Sequence, residues 1–335
     1  MESKRSNIVN KKRENLAQVL PLETPFSLFI DVCNACNFKC KFCAIQTTEV
    51  KKFKKMAMNW DLYKKTIDDL TEFPKPLKML RLTANGEPLM NKDLPKMIQY
   101  AKEKKIAEHI EIVTNASLLT PELSLAIIDA GLDRIRISIE AIDENGYFNM
   151  CNYKIEWQKF IDNLEFFYNH RKQCEVYIKT VDAAVKKIEE KEKFYHIFER
   201  ISDKISIEHV IPIWTDYKKI YKDFDIDTSE GLHGHKIKQV NICPFPFYSF
   251  VVNPDGEVTV CCNDWKRGVS IGNISKESVK DIWQGNKYKS FLQGMIKNGR
   301  VSNHRTCATC EYPIYDAVDN LDLYRDDLMQ KFKCR

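Results

Sequence analysis

Cys36-Asn37-Phe38-Lys39-Cys40-Lys41-Phe42-Cys43 is the stretch on which the reading of the chain turns. Three cysteines fall within eight residues, in a C-x3-C-x2-C spacing. Thiolates are soft ligands that suit iron–sulfur clusters or zinc. A loop this short can turn its sulfurs toward one face of a cube, leaving one iron of a four-iron cluster open to a small molecule. The other reading is a structural zinc site. Zinc takes a closed tetrahedral ligand set, and Cys33 stands close enough in sequence to complete one. Short cysteine spacings serve both metals.

Around this loop, strand-like and helix-like segments alternate, which argues for a parallel α/β architecture. Strands are expected at 26–32, 78–83, 109–114, 134–140, 175–181 and 204–210. Helices are expected at 60–71, 94–104, 121–130, 157–170 and 189–201. Thr120-Pro121 is a capped helix start, and Gly131 is a natural stop. In the fourth strand Ile135, Ile137 and Ile139 alternate with Arg134, Arg136, Ser138 and Glu140. The fifth and sixth strands repeat the pattern. One face can pack on helices while the other stays polar. A closed eight-stranded barrel fills its interior with branched apolar side chains. Six strands with a polar inner face predict instead a partial (β/α)6 TIM-type barrel, open enough to hold a ligand. A doubly wound open sheet is the alternative. In both, ligands belong at the C-terminal strand ends, where the cysteine loop also falls.

The chain has 335 residues, enough for one large domain and a small one. The expected division is a lead-in over 1–25, a barrel over 26–211, a bridge over 212–242, a cluster-binding unit over 243–312 and a C-terminal helix over 313–335. No apolar run is long enough to span a membrane, and the polar, basic start lacks the core of a signal peptide. The twelve cysteines group in metal-like sets rather than as a secreted disulfide framework. A reducing cytoplasm is therefore expected. The net charge of +5 is modest. No appended RNA-binding module is evident, so no nucleic-acid partner is expected. Lys51, Lys52, Lys54 and Lys55 read as a solvated face.

The cysteine spacing, with Phe42 as the aromatic before the last cysteine, resembles the signature of the radical S-adenosylmethionine (SAM) enzymes. The segment Asn85-Gly86-Glu87-Pro88 is similar to their Gly-Gly-Glu-Pro motif, which meets the amino group of SAM. Asn85 replaces the first glycine, which puts the backbone turn in doubt. Ser138 and Glu140 match a serine and an acidic residue near a strand end in the family. Asn115 ends the third strand at the same mouth, and Lys179 on the fifth could meet the SAM carboxylate. The resemblance implies a cluster on Cys36, Cys40 and Cys43, with SAM on its open iron.

Beyond residue 210 the periodicity changes. His233-Gly234-His235 reads as a solvated loop within the bridge. Asn253-Pro254-Asp255-Gly256 joins two β-rich runs as a hairpin, and a helical stretch follows over 278–298. Cys243, Cys261, Cys307 and Cys310 suffice for a complete cluster cage. Cys262 could replace Cys261. A hairpin and a helix bury little core, so a metal centre would help hold the unit together. The arrangement resembles the SPASM/twitch extension of radical SAM enzymes, in the shorter form with one auxiliary cluster. Zinc is again the alternative. Cys33, Cys151, Cys174 and Cys334 read as ordinary side chains.

The resemblance implies a radical SAM oxidoreductase with two four-iron four-sulfur (4Fe–4S) clusters, SAM, and a flavodoxin- or ferredoxin-type reductant. The expected reaction is dehydrogenation of a small polar molecule such as a sugar or aminocyclitol. The auxiliary cluster would accept the electron, and Lys179, Glu208 and His209 are the candidate proton acceptors. The alternative is modification of a ribosomal peptide by crosslink, thioether or epimerisation. Only 35 residues precede Cys36, too few for a leader-peptide domain, which favours the small substrate.

Overall fold

The computed structural model describes residue 5 and residues 14–46, 48–213, 228–316 and 319–333. Six parallel strands form its core: β1 (Ser27–Ile30), β2 (Leu77–Arg81), β3 (Ala107–Thr114), β4 (Arg134–Ile139), β5 (Glu175–Val181) and β6 (Lys204–Glu208). They lie side by side in chain order. Among the described residues β6 does not return to pair with β1, so the sheet stays open as a partial barrel.

The period-two pattern is the reason. Ile135, Ile137 and Ile139 are at most 1% exposed, as are Val176 and Ile178 on β5. Each such side chain gains about 1.5–3 kcal/mol by leaving water. The intervening residues turn inward and are polar. The connecting helices Trp60–Leu70, Leu94–Lys104, Pro121–Asp129, Trp157–His170 and Ile188–Phe198 cover the apolar side. Their starts follow local chemistry: Asn59 accepts from Leu62 N–H at 2.8 Å, and Thr120 from Leu123 N–H at 3.2 Å. A further helix, Glu144–Cys151, has no strong apolar period, and the sequence reading passed over it.

The C-terminal segment continues this sheet. Strand β7 (Ser249–Val252) pairs in parallel with β1, and β8 (Glu257–Thr259) and β9 (Ser270–Asn273) follow antiparallel. With β7 on one side and β2 on the other, β1 is a central strand, buried on both faces as such strands are. The hairpin therefore shares one apolar core with the barrel through Phe250, Val252, Val258 and Trp283. It has far more packing than a hairpin and helix alone would offer. The expected helix over 278–298 divides at Gly285 into Val279–Gln284 and Asn286–Asn303. The C-terminal residues form two helices, Tyr312–Asp316 and Arg325–Lys333, rather than one. Cys334 lies outside the described residues. No helix of the described residues is long and apolar enough to cross a membrane.

Candidate active site and cluster cages

One cavity of about 530 Å³ opens at the C-terminal ends of the barrel strands. Its wall brings together Cys36, Cys40, Phe42 and Cys43 from the loop after β1, and Asn85, Gly86 and Glu87 from the turn after β2. Asn115, Ser138, Glu140, Lys179 and Glu208 reach it from the later strands. Pro88 is buried behind the turn, where it opens a short 3-10 helix.

The cysteine loop is braced from two sides. Lys39 and Lys41 N–H donate to the carbonyls of Cys151 and Met150 at 2.8 and 3.0 Å, so the end of helix Glu144–Cys151 carries the loop. Glu87 N–H donates to Ala35 carbonyl at 2.8 Å, which ties the loop to the β2 turn. A Cβ on Gly86 would stand 2.0 Å from Cys33 carbonyl and 2.4 Å from Ala35 carbonyl, so the turn fits against the loop only as glycine. Asn85 fills the place of the family's first glycine by another device. Its N–H and Nδ2 donate to the buried Asp31 carboxyl at 3.2 and 3.1 Å.

Burial pushes the Cys36 thiol up to about 12 and the Cys43 thiol up to about 11. The Cys40 thiol is raised by its hydrogen bond to Cys151 and by burial. Bare thiolates are thus disfavoured here unless a cation compensates them. Among the described residues no three Cys, His, Asp or Glu groups converge as a single metal ion requires. The three thiols rim a cavity, as a multi-iron cluster would need. Cys33 does not line it; its thiol donates to Ala35 carbonyl at 3.7 Å. The fourth cysteine beside the loop is instead Cys151, with its sulfur 3.6 Å from that of Cys40. Nothing in the linear spacing marks it.

Glu87 is fully buried, and its carboxyl is pushed up to about 7 by burial, against three hydrogen bonds that hold it. These come from Thr114 hydroxyl at 2.6 Å, Asn115 N–H at 2.8 Å and Leu89 N–H at 3.0 Å. Asn115 Nδ2 approaches Cys36 sulfur at 3.8 Å. Glu140 is likewise raised to about 7 by burial.

Deeper in the barrel the polar face forms an ionic ladder. Arg81 donates from Nε to Glu111 at 2.6 Å, and Lys179 Nζ donates to Glu208 at 2.6 Å. Arg136 lies 3.8 Å from Glu208 and 4.0 Å from Glu111. Lys179 and Arg136 outweigh burial and hold the Glu208 carboxyl below its usual range. It is therefore a poor proton acceptor. His209, the third residue expected in that role, does not line the cavity: it faces Asp182 at 2.9 Å and Glu230 at 3.3 Å. His233, read from sequence as part of a solvated loop, lines the cavity instead. So do Tyr312 and Asp316, which the sequence reading missed. The Tyr312 hydroxyl donates to Asp316, and burial pushes the Asp316 carboxyl up.

The second cysteine set has its own small cavity of about 30 Å³, lined by Cys243, Cys261, Cys307 and Cys310. Burial is the first cause that raises the thiols of Cys243, Cys307 and Cys310. Cys261 faces this cage, whereas Cys262 lines the large cavity. Asn263 lines both. Its N–H donates to Cys261 sulfur at 3.4 Å, and among the described residues its buried Nδ2 has no hydrogen-bond partner. A cluster sulfur is the kind of acceptor such an orphan donor fits.

The sequence model of the radical SAM superfamily matches residues 30–198, just over half of the chain. That of SPASM, an iron–sulfur cluster-binding domain, matches residues 243–311. A tungsten-containing aldehyde ferredoxin oxidoreductase cofactor-modifying protein of Pyrococcus furiosus is 23% identical over 328 residues, covering 87% of this chain and 88% of its own. GTP 3',8-cyclase of Staphylococcus aureus is 29% identical over 144 residues, 42% of this chain and 41% of the cyclase. In three dimensions the chain is similar to BtrN in complex with AdoMet and 2-DOIA, with a TM-score of 0.54, 18% identity and coverage of 85% and 92%. It is also similar to Streptococcus suis SuiB bound to S-adenosylmethionine, with a TM-score of 0.60, 15% identity and coverage of 88% and 74%. By the extent of the first match and the cysteine loop it contains, the chain belongs to the radical SAM superfamily and carries a C-terminal SPASM iron–sulfur cluster-binding domain.

Proposed function

We propose that the protein oxidises an unactivated C–H bond of a small polar substrate, such as a sugar or aminocyclitol, held in the large cavity. The observation that carries this is the separation of the two cysteine sets. Cys36, Cys40 and Cys43 face the large cavity, while Cys243, Cys261, Cys307 and Cys310 enclose a small one beside it. When bound, SAM and the first cluster supply a radical that abstracts hydrogen, and the second cluster supplies a one-electron acceptor. Four thiolates leave that second cluster no open iron, so electron relay suits it better than substrate binding.

The chain's own residues supply orientation and proton handling. Asn85, Glu87, Asn115, Ser138 and Glu140 surround the place where SAM meets the first cluster. Glu87, once ionised, is an acceptor for the SAM ammonium. Lys179, held to Glu208, presents positive charge toward the SAM carboxylate. Oxidation of a carbinol removes a hydrogen atom, one proton and one electron. We assign the proton to Asp316: among the described residues its carboxyl pairs with no guanidinium or ammonium group, while the Tyr312 hydroxyl donates to it and the His233 ring lies 3.9 Å away.

BtrN, whose fold this chain shares, is seen with AdoMet and a small molecule, 2-DOIA. The SuiB fold is equally similar and binds a precursor peptide, SuiA, so peptide modification is the competing substrate class. The Pyrococcus relative, named for modifying a cofactor and matched over most of its length, adds a cofactor to the candidate substrates. The eleven cysteines described are all free thiols, which suits a reducing cytoplasm and a flavodoxin- or ferredoxin-type electron donor.

The test is anaerobic turnover of the reconstituted protein with SAM and reductant against a panel of polyols, aminocyclitols and short peptides. The expected result is deoxyadenosine formed in step with a product two electrons more oxidised than the polyol or aminocyclitol. A redox-neutral product, or turnover of peptides alone, would overturn the proposal.

A further inference from the structure

The wall of the auxiliary cage contains a buried cation. Arg300 is 9% exposed and lines the small cavity with the four cysteines. The backbone places it there. Gly299 adopts a φ of 71° and breaks the helix Asn286–Asn303, so the chain turns and Arg300 N–H donates to Asn241 carbonyl at 2.6 Å. A side chain at residue 299 would disfavour that left-handed conformation.

Two of the guanidinium's donors hold carbonyls: Nε that of Val240 at 3.0 Å and Nη1 that of Cys310 at 2.6 Å. These are dipoles and carry no compensating charge. Among the described residues no carboxylate lies within ion-pair distance of Arg300. Asp264, the other charged group in the wall, accepts from the N–H groups of Gly268 and Val269, each at 2.8 Å. A buried cation without an anion is strongly unfavourable. Here the natural anion is what the cysteines are arranged to hold. A 4Fe–4S cluster with four thiolates carries net negative charge in both its oxidation states.

We propose that Arg300 is the counter-charge of the auxiliary cluster and makes that cluster the electron acceptor of the reaction. The inference rests on the relay role proposed above. Reduction adds one negative charge inside a small, buried cage. A fixed cation in the wall stabilises the reduced form more than the oxidised one and so raises the potential. The unpartnered Asn263 amide at the same wall acts in the same direction, by donating to a cluster sulfur. Arg300 is a positioning and tuning residue; it does not line the substrate cavity.

The experiment is an anaerobic redox titration of the reconstituted full chain, read by electron paramagnetic resonance, with no substrate present. The SAM cluster on Cys36, Cys40 and Cys43 serves as internal reference. In Arg300→Gln the auxiliary midpoint should fall by at least tenfold in the one-electron equilibrium constant, about 59 mV. Arg300→Lys, which keeps the charge and loses the fork, should stay near wild type. An unmoved midpoint in the glutamine variant, or an equal fall in both, overturns the inference: a residue that only clamps two carbonyls gives no charge-dependent shift. Should the glutamine variant not fold, Arg300→Met, which removes the charge and keeps an aliphatic stem, takes its place: a midpoint lowered by a similar amount supports the proposal, and an unmoved one refutes it. Zinc in the wild-type cage would instead sink the relay reading on which this rests.

Discussion

Replacing Gly86 with alanine tests the link between the β2 turn and the cysteine loop. The added methyl carbon would stand 2.0 Å from Cys33 carbonyl, 2.4 Å from Ala35 carbonyl and 2.8 Å from the carbonyl carbon of Asn34. Ordinary contact begins near 3.4 Å, so the loop must retreat by about 1.4 Å. All three obstacles are backbone, and no side chain can rotate away. Overpacking costs about 1–3 kcal/mol and occasionally more; a backbone obstacle places this site at the upper end, about 3 kcal/mol. The retreating segment runs directly into Cys36, so the loss falls on the first cluster. Urea unfolding of the apo-protein should show a lower midpoint with an unchanged m-value. The reconstituted variant should hold less iron, its auxiliary cluster should persist, and SAM binding should weaken. A folded variant with wild-type midpoint, iron content and SAM affinity would refute the argument that turn and loop are fitted backbone to backbone.

Glu87 predicts a pH dependence. Its carboxyl is neutral below about 7 and anionic above, so attraction for the SAM ammonium grows as pH rises through that value. The SAM dissociation constant of the wild type should fall from pH 6 to pH 8. Glu87→Gln should be flatter and roughly tenfold weaker at pH 8, in line with the ~1.5 kcal/mol of a charged hydrogen bond. Any slope that persists in the variant reports Glu140, which titrates over the same range. Iron analysis should separate the adjacent cysteines: Cys261→Ala loses the auxiliary cluster, while Cys262→Ala keeps it, because Cys262 faces the large cavity. In Cys307→Ala/Cys310→Ala the first cluster and SAM cleavage should survive while the oxidised product disappears. Circular dichroism should show a retained fold, because the hairpin is anchored to β1. Asp31→Ala strips Asn85 of both its acceptors and should weaken SAM binding at full iron content.

Much was legible in the linear chain because it follows from short-range chemistry. Alternating isoleucines with polar neighbours are a property of three consecutive turns of a strand's pleat, so β4 to β6 and their polar inner face could be read directly. The spacing of Cys36, Cys40 and Cys43 carries its own geometry, and so does Cys307 to Cys310. The C-terminal strand ends had to hold the site, because the cysteine loop leaves the sheet there. What the sequence could not show was pairing across long separations. The union of β7 with β1 is set by exposed edge groups of a strand more than 200 residues earlier, and no local pattern records it. That union makes barrel and hairpin one sheet, with the two cysteine cages side by side. Which of Cys261 and Cys262 turns toward which cavity depends on the hand of the chain after β8. Cys151 beside Cys40, Asp31 beneath Asn85, Asp316 in the large cavity and Arg300 in the cage wall are contacts between distant segments. Only the folded backbone, with burial and charge weighed in three dimensions, decides them.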